Sequence, residues 1–223
     1  MSGDLIALAQ AVLGPDVIVV GGRIAALQDA LWPQEAALMQ RASAIRLADF
    51  TAGRTAVRQA LIALGLPSQP ILRRPGGEPD WPKGITGSLT HGGQMCLAAL
   101  GRTNKMLSLG VDLEPILPLD PDVVSEICAP SEQRWIAIQP DPTDLPLRIF
   151  TAKEATYKAL YPLTGVVLDF AALTIDLTPK RDAFTARLTR NIGPFNAGTA
   201  FRGQQVVAQN TVLSILKIPV SPL

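Results

Sequence analysis

Two acidic residues, Asp112 and Glu114, have the types and the spacing of a metal-binding pair. They lie in an alternating run, residues 107–114, which predicts a β-strand. Because successive strand side chains point to opposite faces, both carboxylates would lie on one face, with Leu113 on the other. Neighbouring carboxylates repel each other unless a cation lies between them, and Mg²⁺ is held by a few carboxylates plus phosphate oxygens. The pair therefore predicts a metal site, although Asp-x-Glu alone is a weak signal.

A second segment, residues 150–160, is predicted to be a helix because it follows Pro146 and consists largely of strong helix formers. Glu154 and Lys158 are i,i+4 neighbours on one helix face, and Lys153 lies beside them. An exposed helix with an ordinary ion pair would have the same pattern. Together with the upstream strand, however, the combination is far more specific. It predicts a third metal-binding carboxylate flanked by two lysines that meet phosphate oxygens.

Arginines on a predicted long helix, residues 34–65, indicate an anion site. Arg54 and Arg58 are like charges four residues apart without an acid at matching spacing, which is unfavourable unless they share an anion. Arg46 adds a third cation on this helix, and residues 73–74 add two guanidinium groups, whose planar shape suits phosphate. A solvated basic face would explain the same arginines about equally well.

His91 is the only histidine in the sequence, and it ends a predicted strand that also carries Ser88 and Thr90. A hydrolase based on a Ser–His pair would need an orienting acid, and the Gly-x-Ser-x-Gly signature is absent. A phosphate contact is the better functional interpretation of His91. The alternative is a histidine packed in the core or exposed on the surface.

The order of predicted elements indicates an α+β protein in which helices followed by strands occur twice. The two rounds meet near residues 101–106 and suggest two lobes. Asp4 is predicted to cap the first helix, and Gly53 to break or kink the long helix. The predicted helices are residues 5–13, 34–65, 121–138 and 150–160, and the chain ends in antiparallel strands.

The composition excludes several classes of function. The net charge of +1 and the 17% of charged residues give no field for binding nucleic acid or a membrane surface. No apolar stretch reaches the roughly 18–20 residues of a membrane span, and two cysteines make no disulfide framework. We therefore expect a soluble protein of a reducing compartment, the cytoplasm, and we also expect it to be a monomer. Charge is unevenly distributed, because residues 41–83 are mainly basic and residues 112–144 mainly acidic, which suits an anionic ligand held beside a metal.

In order along the chain, these stretches resemble the 4′-phosphopantetheinyl transferases, in particular the siderophore-type branch that includes enterobactin synthase component D. The resemblance covers about residues 41–170, and its motifs include Gly87-Ser-x-Thr90-His91, Gly110-Val-Asp112-Leu-Glu114 and Lys153-Glu154-Ala-x-x-x-Lys158. Two features depart from the family pattern. Phe150 stands where many relatives have Trp, and residues 92–94 differ in the loop that follows the histidine.

The resemblance implies transfer of phosphopantetheine from coenzyme A to a serine of an apo acyl or peptidyl carrier protein, with release of 3′,5′-ADP. It implies two similar α+β lobes, residues 1–105 and 106–223, related by a pseudo-twofold axis, with the active site at their junction. Asp112 and Lys158 would take part in catalysis, and Glu154 would serve as the base, directly or through a water molecule. The implied ligand sets are Asp112, Glu114 and Glu154 for Mg²⁺, His91, Lys153 and Lys158 for the pyrophosphate, and Arg46, Arg54, Arg73 and Thr90 for the 3′-phosphoadenosine.

Two other functions remain possible at this point. The chain could be a module of the same fold that binds coenzyme A or a carrier without turnover, or an unrelated Mg²⁺-dependent phosphohydrolase. The sequence also leaves open which carrier or pathway is served, and whether Arg73 or Arg74 contacts phosphate.

Overall fold

The computed structural model describes residues 3–220, with side chains from residue 5 onward, so Asp4 as a helix cap lies outside the described side chains. The fold is α+β, as expected. The first round of elements is α1 (Gly3–Leu13), β1 (Val17–Arg23), α2 (Pro33–Ala37), α3 (Ala44–Ala63), β2 (Ile85–Gly92) and β3 (Met95–Arg102). The second is β4 (Met106–Pro115), α4 (Pro121–Ile127), α5 (Pro130–Ala137), α6 (Leu145–Thr164), β5 (Leu173–Leu177), β6 (Ala183–Leu188), β7 (Ala200–Ala208) and β8 (Thr211–Pro219).

The strands of residues 3–220 form two antiparallel sheets, with orders β1-β3-β2 and β4-β8-β7-β6-β5. Helix α3 packs its small apolar residues on the first sheet, and α6 packs on the second. The predicted domain boundary falls in the turn between β3 and β4. The division into lobes at 105/106 stays a prediction.

Two predicted helices are each interrupted. The predicted helix 34–65 is two helices, and its break lies between α2 and α3 rather than at Gly53. A Cβ at position 53 would lie 2.8 Å from Leu89 Cδ2, so this glycine allows close packing within a continuous helix. The predicted helix 121–138 is α4 followed by α5, which begins anew at Pro130 because proline suits a first helical turn.

The sheets meet where edge strand β2 lies beside edge strand β4. Their backbones are joined through hydroxyl groups: Ser88 Oγ accepts from Val111 N at 3.0 Å, and Thr90 Oγ1 accepts from Leu113 N at 3.2 Å. These bonds satisfy backbone donors that an edge strand would otherwise leave unpaired. Leu113 is fully buried in a cluster that draws residues from both sheets, as its position opposite the acidic pair predicted.

Helix α6 lies unusually close to β4. A Cβ at Gly110 would collide with the carbonyl oxygen of Ala155, so only glycine permits this approach. The contact brings the α6 face that carries Glu154 and Lys158 against the strand that carries Asp112. No helix within residues 3–220 is long and apolar enough to cross a membrane.

Candidate active site

Asp112 and Lys158 form the centre of the junction. Asp112 is 4% exposed, and its Oδ1 accepts hydrogen bonds from Lys158 Nζ at 2.6 Å and from Thr90 Oγ1 at 3.2 Å. Its Oδ2 is buried and has no hydrogen-bond partner among residues 3–220. Thr90, which the resemblance assigned to the 3′-phosphoadenosine end, instead directs its hydroxyl to Asp112 and to the backbone of Leu113.

The two other acids share the electrostatic environment of Asp112. Burial raises the pKa of Glu114 to about 7, with further contributions from the charges of Asp112 and Glu154 and an opposing one from Lys158. Burial, followed by the charge of Asp112, also raises the pKa of Glu154, and Lys158 opposes the shift. The structure thus brings the three predicted carboxylates into mutual repulsion around a single ammonium group.

The carboxylates do not form a ready-made metal cage. Within the described part of the chain, no group of three or more His, Cys, Asp or Glu side chains is arranged as a metal site. Two observations nevertheless fit a hard cation here: the unpartnered buried Oδ2 of Asp112, and the raised pKa values of Glu114 and Glu154. All three residues offer the oxygen ligands that Mg²⁺ prefers.

Cations surround a small cavity of about 160 Å³ beside α3. The guanidinium groups of Arg54 and Arg73 lie 4.2 and 5.3 Å from the centre of the Phe50 ring, in cation–π geometry. Arg46 Nη1 lies 3.4 Å from His91 Nε2. The residues that line the cavity include Arg46, Asp49, Phe50, Arg54, Arg73 and His91. Three guanidinium groups opposed by one carboxylate give this cavity a positive lining, which suits an anion.

Arg54 is the most buried of these cations, at 3% exposure, and its Nε has no hydrogen-bond partner among the described residues. Burial lowers the pKa of Arg54 to about 10 despite the attraction of Glu35, and the charges of Arg73, Arg58 and Arg46 lower it further. An anion in the cavity would offset both the burial and the crowding of like charges.

The imidazole of His91 lies between the cations and the carboxylates. Burial lowers the pKa of His91 below its usual 6.5; Asp49 and Asp112 oppose the shift, whereas Arg46 and Lys158 add to it. His91 is therefore neutral near pH 7 and can donate one hydrogen bond to an anion without adding charge.

A larger cavity of about 410 Å³ lies beside the cationic cavity and extends to Lys158. It shares Arg46 and Arg73 with the cationic cavity and Lys158 with the carboxylates. The loop at residues 76–79 and Trp81 form one side, and Tyr157, Tyr161 and Pro162 of α6 form the other. The result is a cleft between the two halves of the chain, with cations at both of its ends.

Lys153 does not face this cleft. It is 2% exposed, and its ammonium group donates to Ile127 O at 2.8 Å, Glu132 Oε2 at 2.8 Å and Phe170 O at 3.1 Å. A lysine has three donors, and all three are used. The sequence led us to expect that Lys153 contacts the pyrophosphate. Its position in the sequence could not reveal that it forms an ion pair with the buried Glu132 instead.

The structure shows which of the two adjacent arginines, Arg73 or Arg74, lines the cavities, a choice that the sequence left open. Arg73 lines both cavities, whereas Arg74 forms an exposed ion pair with Asp80 at 2.8 Å.

Sequence reasoning missed Glu35 and Glu132, two buried acids that contact Arg58 and Lys153. A signal was present, because each follows a proline by two residues at the start of a helix.

A cleft that runs from an arginine cluster to Lys158, which contacts Asp112, suits a phosphorylated ligand and offers groups for phosphoryl chemistry. Comparisons with known families agree. The family described as 4′-phosphopantetheinyl transferase N-terminal domain matches residues 34–101, and the 4′-phosphopantetheinyl transferase superfamily matches residues 108–208.

Individual relatives extend the match over most of the chain. The chain is 38% identical over 195 residues to 4′-phosphopantetheinyl transferase Svp of Streptomyces mobaraensis, covering 84% of this chain and 78% of Svp. It is 37% identical over 196 residues to 4′-phosphopantetheinyl transferase PptT of Mycobacterium tuberculosis, covering 82% and 84%. Enterobactin synthase component D of Escherichia coli is 32% identical over 138 residues, covering 59% and 63%. The chain belongs to the 4′-phosphopantetheinyl transferases, a family of enzymes.

Proposed function

We propose that this chain transfers the 4′-phosphopantetheine group of coenzyme A to a serine hydroxyl of an apo acyl or peptidyl carrier protein, in a Mg²⁺-dependent reaction that releases 3′,5′-ADP. The observation that carries the proposal is the pair of adjacent cavities that run from the arginine cluster to Lys158, whose ammonium group contacts Asp112. The names of the relatives support the transferred group.

The cleft suits the distribution of charge in coenzyme A. Arg46, Arg54 and Arg73 would hold the 3′-phosphate, since guanidinium groups match phosphate oxygens in shape and charge. The nucleoside would occupy the larger cavity. His91 and Lys158 would contact the pyrophosphate, which then lies beside the carboxylates.

The three carboxylates would hold Mg²⁺ through Asp112, Glu114 and Glu154. When bound, this ion would supply charge neutralisation at the pyrophosphate oxygens. Lys158 would contribute a second positive charge at the leaving oxygen. The arginine cavity would fix the far end of the substrate, so that the phosphorus stays in line with the incoming hydroxyl.

Glu154 is the proposed base. The serine oxygen forms a bond to the phosphorus on the pantetheine side, and the bond from that phosphorus to the bridging oxygen breaks, so that 3′,5′-ADP leaves. The serine proton passes to the Glu154 carboxylate, directly or through a water molecule. The charges of Asp112 and Lys158 both act on Glu154, so its carboxylate lies beside the proposed site of reaction.

One incubation separates the candidate functions. The purified protein is mixed with coenzyme A, MgCl₂ and an apo carrier protein, and the carrier is weighed by intact mass spectrometry. A gain of one phosphopantetheine group supports transfer. Coenzyme A binding without that gain would indicate a non-catalytic module, and coenzyme A cleavage without a carrier would indicate a phosphohydrolase.

A panel of apo carriers from siderophore, polyketide and fatty-acid systems then identifies the partner. Omission of MgCl₂, or its replacement by MnCl₂, tests the metal requirement.

We further propose that the protein acts as a cytoplasmic monomer that binds no nucleic acid. Light scattering coupled to size-exclusion chromatography tests the monomer, and a mass of twice the chain would contradict it.

A further inference from the structure

Two buried glutamates occupy matching places in the two halves of the chain. Glu35 and Glu132 are the third residues of α2 and α5, and each of these short helices begins with proline. Their exposures are 0% and 5%. Each carboxylate accepts the backbone N–H that precedes its helix: Trp32 N at 3.0 Å for Glu35 and Ala129 N at 2.6 Å for Glu132.

Their remaining contacts also correspond. Glu35 accepts from Ile71 N at 2.9 Å and pairs with Arg58 of α3 at 2.8 Å. Glu132 accepts from Ile175 N at 2.7 Å and pairs with Lys153 of α6 at 2.8 Å. Helices α3 and α6 are each 20 residues long, and Ile71 and Ile175 both follow the long helix of their half. Each carboxylate therefore ties a short helix, a long helix and a following segment together.

The contacts of Glu35 reach the cationic cavity from two directions. Glu35 Oε1 lies 3.9 Å from Arg54 Nε, and among the described side chains Glu35 is the one acid that raises the pKa of this buried guanidinium. Its bond to Ile71 N fixes the segment that carries Arg73 two residues later. Arg54 and Arg73 enclose Phe50 in the cavity wall.

The contacts of Glu132 lie near Glu154, on the side of this residue that faces away from the cationic cavity. Lys153, which Glu132 holds, precedes Glu154 on α6 and also donates to Phe170 O. Residues 167–171 and Glu154 line a cavity of about 440 Å³ on this side. Loss of the Glu132–Lys153 pair would release both α6 and this wall, because a buried ammonium without its counter-ion is costly.

We propose that Glu35 and Glu132 are positioning residues with separate duties in the transfer reaction, an inference that rests on the proposed function. Glu35 holds the arginines that bind the phosphorylated end of coenzyme A. Glu132, acting through Lys153, holds Glu154 and the wall of the cavity beside it. A merely structural role would lower stability in both variants but would not divide binding and turnover between them.

The test compares Glu35→Gln and Glu132→Gln, with Asp16→Asn as the control. Asp16 forms an exposed ion pair with Lys105 at 3.8 Å, remote from the cleft contacts described above. Calorimetry measures the Kd for coenzyme A, and steady-state assays with apo carrier measure kcat. We expect Glu35→Gln to raise the Kd about tenfold, with kcat at saturating coenzyme A within about twofold of wild type. We expect Glu132→Gln to lower kcat about tenfold and to leave the Kd within about twofold.

Equal effects of both variants on the two parameters, or wild-type parameters in both, would overturn the positioning roles while leaving the proposed function intact. Failure of the wild-type protein to bind coenzyme A and modify the carrier would overturn both. If a single variant does not fold, the double variants Glu35→Gln/Arg58→Met and Glu132→Gln/Lys153→Met replace it. They remove both charges of each ion pair, so that neither Arg58 nor Lys153 remains as a buried cation without its partner, and the same division between Kd and kcat is expected.

Discussion

Lys158 Nζ donates a 2.6 Å hydrogen bond to Oδ1 of Asp112 and a 3.3 Å bond to Val111 O, and so links α6 to β4 within the second half, on the strand that lies beside β2 of the first half. The side chain of Asp112 is 6% exposed, and that of Lys158 is 28% exposed. The pair therefore lies between an exposed ion pair, which contributes little, and a fully buried one, whose disruption is strongly destabilising.

Replacing Lys158 with Met should reduce both stability and turnover. The buried Asp112 carboxylate would lose its cation, and we expect the free energy of unfolding to fall by about 1–3 kcal/mol. Turnover should fall about 100-fold or more, because a positive charge at the leaving oxygen is lost. Urea denaturation and the carrier assay measure the two effects. Lys158→Arg is the matched control. Equal free energies of unfolding for Lys158→Met and wild type would contradict the predicted contribution of the Lys158–Asp112 pair to stability.

Replacing Glu154 with Gln should abolish transfer and leave coenzyme A binding largely intact. Glutamine keeps the shape of the side chain but cannot accept the serine proton. The reaction is followed by carrier mass, and binding by calorimetry. Turnover close to that of wild type would exclude Glu154 as the base.

Replacing Arg54 with Lys should weaken coenzyme A binding about tenfold, even though the charge is kept. A lysine lacks the planar fork that stacks on Phe50 at 4.2 Å and presents several donors to one phosphate. Arg74→Lys is the matched control, because Arg74 forms an exposed ion pair outside the cavities. Calorimetric Kd values decide, and equal values for the two variants would remove Arg54 from the phosphate site.

The acidic strand and the lysine-bearing helix could be predicted because their signals are local. Alternation places Asp112 and Glu114 on one face of a strand opposite Leu113, and strong helix formers surround Glu154. The structure contains both elements, with Leu113 buried as expected. The interrupted helices were missed because apolar periodicity continues across their breaks, although Ser43 caps α3 by accepting from Arg46 N at 3.2 Å.

The hydrogen-bond partners of Lys153 could not be predicted from its position in the sequence. Its partner Glu132 lies 21 residues earlier in the sequence, and only the tertiary fold brings the two side chains together. The roles of Arg73 and Arg74 were likewise undivided, because adjacent residues differ in orientation only once the segment after Ile71 is fixed. Long-range contacts, rather than local propensity, decide which charged groups face the cleft.

Glu114 should lower the stability of the metal-free protein as the pH rises from about 4.5 to about 7, whereas His91, whose pKa is lowered, contributes in the opposite direction near its usual pKa of 6.5. Glu114 has a pKa of about 7 in the folded state against an ordinary value of 4.5, so within this window the folded state keeps a proton that the unfolded state has lost. Stability falls with pH wherever the folded state binds more protons. Glu154, whose pKa is also raised, contributes in the same direction. Thermal unfolding in EDTA at several pH values measures the slope.

Glu114→Gln should flatten this pH dependence, because glutamine does not titrate and cannot repel Asp112. Asp176→Asn, at an exposed position of β5, is the control and should keep the wild-type slope. Added MgCl₂ should raise the melting temperature of the wild type more at pH 8 than at pH 6, since protons compete with a cation for the same carboxylates. An unchanged slope in Glu114→Gln would show that Glu114 does not carry the shifted pKa, and equal effects of MgCl₂ at both pH values would argue against metal binding by these three acids.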